Sequence, residues 1–415
     1  MSTRGLMSKY NLTERQEAPI ALKKSRHLMS VANNILAKSQ LEGWMLELWQ
    51  WADENYIEDE LLPRNKSALK ALIELNLMLM DIERLPSAIG NLKNLKKLDL
   101  SDNDILEFPE SMCNLKELEF ICLDDNSLKE FPLFIKELYK LKVLQIGKYN
   151  LIEQLPDWIG NLKDLRELRV NKSVKFPDSI MSLVKIEKLA LTGNQLDANK
   201  SWIKRLKNLK SLTVEGIYIP DWLGELVQLE KLSFSWEITE VPIWVKDLTL
   251  LKHLGLKFSR PSELPNWLSN LNHLESLSIA SQSFICLPDW LGNMQNIKAL
   301  SLKIGSLAEI PKWLPNLVNL ERLFISASKI NVLPDSMSSL TKLKKLFFIH
   351  SNVSYVPDWI SNLVELEELW FLDCQIKELP CSLGYLVNLK RLNLRRNPIS
   401  ELPENLSHLT EITQL

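Results

Sequence analysis

Three aromatic residues, Phe324, Phe347 and Trp370, stand at successive intervals of 23, with Arg322, Lys345, Arg391 and Arg395 around them and His350 close by. These residue types make and break no bonds by themselves. Large rings beside guanidinium and ammonium groups are the material of binding hot spots, where a ring is buried in a partner and rim charges steer the approach. If the interval is structural, the rings lie on neighbouring strands about 5 Å apart. They could simply stack and stiffen those strands. Contact with a protein partner is the favoured reading, because three large rings facing water need covering.

Residues suited to covalent or metal chemistry are sparse. G-x-x-x-x-G-K-[ST], G-x-S-x-G and H-E-x-x-H are all absent, and 12 glycines are spread over 415 residues. His27, His253, His273, His350 and His408 are not at metal-ligand spacing. Cys113, Cys122, Cys286, Cys374 and Cys381 are odd in number and scattered, with no C-x-x-C, so a reducing compartment is expected. The expectation is a protein that is not an enzyme and uses no cofactor. Fifty Lys+Arg against 52 Asp+Glu give a net charge of −2, which points to neither nucleic acid nor a membrane surface. Residues 1–40 hold no apolar run of the signal-peptide kind, so a cytoplasmic protein is expected. Delivery into a host cell by a specialised secretion system is the alternative.

What must position the rings is a repeat. Prolines fall at 242, 265, 288, 311, 334, 357, 380 and 403, and upstream at 86, 109, 132, 156, 177 and 220. Lys200 takes the place once. Within a unit the apolar residues are as regular: Leu92, Leu95, Leu98 and Leu100, then Asn103, Ile105 and Phe108. Leu98-Asp99-Leu100 alternates as a strand with one buried face does. The stretch after each proline suits one or two tight turns with proline in the first. A single unit cannot bury its leucines, so units must stack and share one core.

The pattern L-x-x-L-x-x-L-x-L-x-x-N-x-I-x-x-F-P resembles a leucine-rich repeat, in 15 copies across residues 69–415. The resemblance implies an α/β right-handed solenoid, a horseshoe with about 15 short parallel strands on its concave face. It also implies protein binding on that face. The 23-residue unit is similar to repeats of Ras-interacting scaffolds and their bacterial and plant relatives, which makes a small GTPase or other signalling protein the implied partner. The alternative is the substrate-recognition part of a bacterial effector or toxin whose activity is encoded elsewhere.

The between-leucine column runs Asn76, Asp99, Cys122, Gln145, Arg169, then small residues to Ser301, and then Phe324, Phe347, Trp370 and Asn393. Glu74, Asp99, Asp102, Asp124 and Asp125 are expected to make the other end acidic. Asn103, Asn126, Asn194 and Asn397 are expected to bond the turn backbone, with serine or cysteine there in later copies. Tryptophan stands second after the mark at 158, 202, 222, 244, 267, 290, 313 and 359, and core packing under the convex surface is expected. Between Pro132 and Pro242 the spacing drifts by up to three residues without a linker.

Residues 1–40 read as a polar, basic tail, partly helical, and residues 41–68 as a helical cap with Trp44, Leu48 and Trp51 on one face. After Pro403 the chain stops where the next strand would begin, so that end is expected to rest on a partner, a second copy or a further segment.

Overall fold

The computed structural model describes residues 41–147, 149–216, 218–259, 263–406 and 411–413. The expected tail, residues 1–40, lies outside them. Each unit supplies one strand and one outer turn. The sixteen strands among the described residues, β1 (Glu74–Asn76) to β16 (Glu411–Thr413), form a single sheet in strict chain order. Neighbours pair in parallel throughout. The repeat pattern ends its strands at Leu392–Leu394. The structure adds β16, paired with β15 (Arg391–Asn393).

Two leucines per strand point inward, and both Leu98 and Leu100 are fully buried. Leu92, Leu95 and Ile89 of the outer turn close the same core. The outer turns are single 3-10 turns such as Ser87–Asn91 and Asp157–Asn161. Proline stands one place earlier than the sequence reading put it, as the extended residue before the turn (Pro86 φ −74°, ψ 154°). Its carbonyl accepts the Ile89 N–H at 3.1 Å, and its ring fixes the entry angle. Between Pro132 and Pro242 one unit gains a residue before Asn150, and two short helices, α3 (Gly193–Ala198) and α4 (Lys200–Ile203), replace a usual exit and outer turn, while the sheet runs on unbroken.

Strands end in two ways. In β2 (Lys97–Asp99) and β3 (Phe120–Cys122) the chain leaves the sheet through a left-handed residue, Asp102 or Asp125, both at φ 54°. Asn103 or Asn126 then turns inward. The Asn126 side-chain amide donates to the carbonyls of Leu100, Leu123 and Asp124 at 2.9–3.2 Å, and its oxygen accepts the Ile105 N–H. In β9 (His253–Phe258), β10 (Ser276–Ser281) and β11 (Ala299–Ile304) the strand simply continues. Phe258, Ser281 and Ile304 pair in register and are buried where Asp102 and Asp125 turn away. The left-handed exit returns at His350, Asp373 and Arg396.

One of the Asn expectations needs revising, and one inward Asn is added. Asn194 is exposed; Gln195, one place on, is the inward group and donates to the carbonyls of Asn171 and Val174. Asn150 was not foreseen, yet it is fully buried and donates to the carbonyls of Leu123 and Gly147 at 2.9 Å.

Before β1, α1 (Gly43–Glu54) and α2 (Lys66–Lys70) close the first unit. The buried face of α1 is Met45, Leu48 and Ala52. Trp44 and Trp51 flank it half-buried, so the expected Trp44–Leu48–Trp51 face is rotated by about one residue. Trp51 donates its indole N–H to the Arg84 carbonyl at 3.0 Å, and Glu47 accepts the Ser87 hydroxyl, which tie the helix to the first outer turn.

Candidate functional site

The between-leucine column forms one row of the sheet. Ser301, Phe324, Phe347, Trp370 and Asn393 are consecutive register partners across β11, β12 (Arg322–Ser326), β13 (Lys345–Ile349), β14 (Glu368–Leu372) and β15. Strand alternation sends Leu323, Leu346 and Leu369 into the core, so the three rings stand on the opposite, solvent side. They shelter one another. The Phe347 and Trp370 centroids are 4.7 Å apart at 38°, and the Lys303 ammonium lies 5.3 Å from the Phe324 centroid. All three rings are therefore half-buried, less open to water than the sequence suggests.

The basic residues divide into two groups. Lys345 and Arg391 both reach Glu368, at 2.6 and 3.5 Å, and Glu368 is itself buried. Those two cations brace neighbouring strands. Arg322 and Arg395 are exposed and carry no ion pair among the described residues, so they remain for a partner. His350 sits at the left-handed exit of β13, beyond the row, with its Nδ1 2.7 Å from the Asp373 carboxylate. Residue type alone did not mark Glu368 as the centre of this cluster. Its place one residue ahead of the Leu369 core position, on the register row of Lys345 and Arg391, could have done so.

The opposite end is less acidic at its surface than expected. Asp124 and Asp125 are buried, and Asp124 accepts the Gly147 N–H at 2.7 Å and pairs with Arg169 at 3.3 Å. Glu74 pairs with Lys97 at 3.1 Å. Asp99 accepts the N–H and hydroxyl of Ser101. These carboxylates close turns and bridge strands.

The tryptophans pack as expected, to two depths. Trp202, Trp244 and Trp313 are buried, while Trp158, Trp222, Trp267, Trp290 and Trp359 lie half-buried against the core. All five cysteines are free, and burial pushes the Cys122 thiol up to about 12. Among the described residues no three His, Cys, Asp or Glu side chains converge as metal ligands would.

Known proteins agree with this architecture. A leucine-rich repeat region model matches residues 117–225, and a leucine-rich repeat model matches residues 94–115 and 388–409. A leucine-rich repeat protein of Leptospira interrogans superposes with a TM-score of 0.50 at 25% identity, covering 83% of this chain and 97% of that one. TLR13, in its complex with ssRNA13, superposes with a TM-score of 0.54 at 21% identity, covering 82% of this chain and 59% of that chain. No curated protein matches by sequence. The chain is a leucine-rich repeat protein, a right-handed solenoid of parallel strands and outer turns.

Proposed function

We propose that the protein is a protein-interaction module that holds its partner on the solvent side of β12–β15. One observation carries the reading: the row is small or polar from Thr213 to Ser301, then carries Phe324, Phe347 and Trp370 on adjacent strands. Arg322 and Arg395 flank those rings with their charges available. Half-buried rings are already ordered, so a partner that covers them loses little side-chain entropy on binding. The resemblance to Ras-group repeats implies a signalling protein, a small GTPase among them. As part of a delivered effector, the same face would instead select a substrate for an activity encoded elsewhere.

Capture with the intact chain, followed by mass spectrometry, names the partner and separates these two readings. Trp370→Ala should then weaken its binding by roughly 30- to 1000-fold, the cost of a central aromatic anchor. Glu74→Ala with Asp99→Ala, at the far end of the same sheet, should change it little. Normal binding by Trp370→Ala and loss with the Glu74/Asp99 pair would move the site to the other end.

A further inference from the structure

Charge is not spread evenly around the aromatic row. Behind the three rings lies a second apolar row. Ile349 and Leu372 are register partners on β13 and β14, half-buried, and two residues on from Phe347 and Trp370, hence on the same face. Cations surround these five side chains. Arg322, Lys345 and Arg391 stand two residues ahead of the ring row, and Lys303, Arg395 and Arg396 lie past it. Against them stand Glu368, Asp373 and, as the register partner of Arg391, Glu411. Six cations to three carboxylates leave a net charge of +3, on a chain whose total is −2. The ladder just ahead, Glu321–Lys344 and Glu367–Lys390, is paired at 3.3 and 3.0 Å and adds no net charge. Glu368 is held by Lys345 and Arg391, and Asp373 lies 2.7 Å from His350. Lys303, Arg322, Arg395 and Arg396 have no ion pair among the described residues.

We infer that the row takes a polypeptide segment whose apolar side chains lie between two acidic ends, an inference that rests on the reading above and names the partner's chemistry. Arg322 and Arg395 occupy opposite corners of the patch. Three strand spacings, about 14 Å, and four residues of strand, about 13 Å, separate them, a diagonal of about 20 Å. An extended segment crosses that distance in about six residues. Carboxylates at that interval meet both guanidiniums, and the side chains between them cover the rings. Single-stranded nucleic acid is the competing occupant, since bases also stack on rings beside cations. A phosphate backbone needs cations along its whole track, however, whereas the middle of this patch is apolar and encloses the Glu368 carboxylate.

Selection of a displayed library of random peptides on the intact chain tests this. Enriched peptides should carry Asp or Glu on both sides of apolar residues, and Trp370→Ala should weaken them at least about 30-fold. Arg322→Glu with Arg395→Glu, both at exposed positions, should weaken them about tenfold at low ionic strength. That loss should shrink at 1 M salt, where the screening length is about 3 Å. Reselection on the double variant should bring Lys and Arg into the places of Asp and Glu. Peptides that need Trp370 yet carry no acidic residues would overturn the inference and leave the row as the binding face. Acidic peptides indifferent to both Trp370→Ala and the arginine pair would overturn the reading of the row itself. An empty selection, or tighter binding of a random single-stranded RNA that is lost in the same variants, would overturn the inference as well.

Discussion

The terminal and central units of this solenoid solve one problem in different ways. Each chain must leave the sheet without stranding backbone groups in the core. Near the ends, Asp102, Asp125, Asp373 and Arg396 adopt left-handed backbone, and Asn103, Asn126, Cys374 or Asn397 turns inward to the carbonyls. In β9–β11 no residue turns. The strand runs to six residues, neighbouring backbones pair directly, and the space an asparagine would fill goes to Phe258, Ser281 or Ile304. The first device makes a compact exit stabilised by polar bonds. The second relies on apolar packing, and it coincides with a groove along the solenoid edge.

The sharpest way to separate the two devices is to remove the group each depends on. Phe258 is buried and meets Phe284 edge-on at 5.4 Å. Phe258→Ala should cost about 3–5 kcal/mol, the usual range for truncating a buried ring. Asn126→Ala should cost about 2–3 kcal/mol, because it leaves buried carbonyls and the Ile105 N–H without their partner. Ser328, at the Asn126 position of a central unit, makes one bond to the Gly305 carbonyl and is exposed. Ser328→Ala should cost under about 1 kcal/mol. Urea unfolding measures all three. A loss at Ser328 as large as at Asn126 would mean that the central units depend on a polar ladder after all.

Backbone geometry gives a smaller, oppositely signed pair. Arg396 holds φ 57°, a region in which only glycine is unstrained. Arg396→Gly should raise stability by up to about 1 kcal/mol, and Ser281→Gly, inside β10, should lower it by about 0.5–1 kcal/mol. If both substitutions destabilise equally, the two exits do not differ in backbone strain.

The period made much of this legible in advance. Because every unit repeats at a fixed offset, the row from Asn76 to Asn393 could be listed residue by residue, and all fifteen positions pair as listed. Fixed offsets also caused the misses. One extra residue before Asn150 and an exit through α3 at Gln195 shift the inward group by one place, so column reading chose Asn194. The choice between a left-handed exit and a continued strand was hidden too. Serine occurs at the Asn103 position in both types, at Ser351 after a left-handed His350 and at Ser328 after a buried Ala327. At the candidate site, residue types gave the rings and the cations. They could not show that Glu368 would be buried between Lys345 and Arg391, because that depends on side chains meeting across strands.

The smallest expected effect concerns pH and singles out the central strands. His253 opens β9, and partial burial there pulls its imidazole below the usual 6.5. Lys231, Arg322 and Lys252 add to that pull, while Glu275 opposes it. The folded state thus prefers the neutral ring. Its contribution is intact above 6.5 and is lost as pH falls through that value toward the lower folded one, because the unfolded chain takes up the proton first. Terminal carboxylates behave otherwise. Glu119 and Glu367 are held below 4.5 chiefly by hydrogen bonds from Lys142 and Lys390, so what they contribute is present above 4.5 and lost only under stronger acid. Between pH 7.5 and 5.5 the backbone amides of β9 should therefore lose a little exchange protection, corrected for intrinsic rates, while those of β3 hold theirs. His253→Gln should abolish the difference. A uniform response along the solenoid, or one that survives in His253→Gln, would show that the central strands are not softened through this ring.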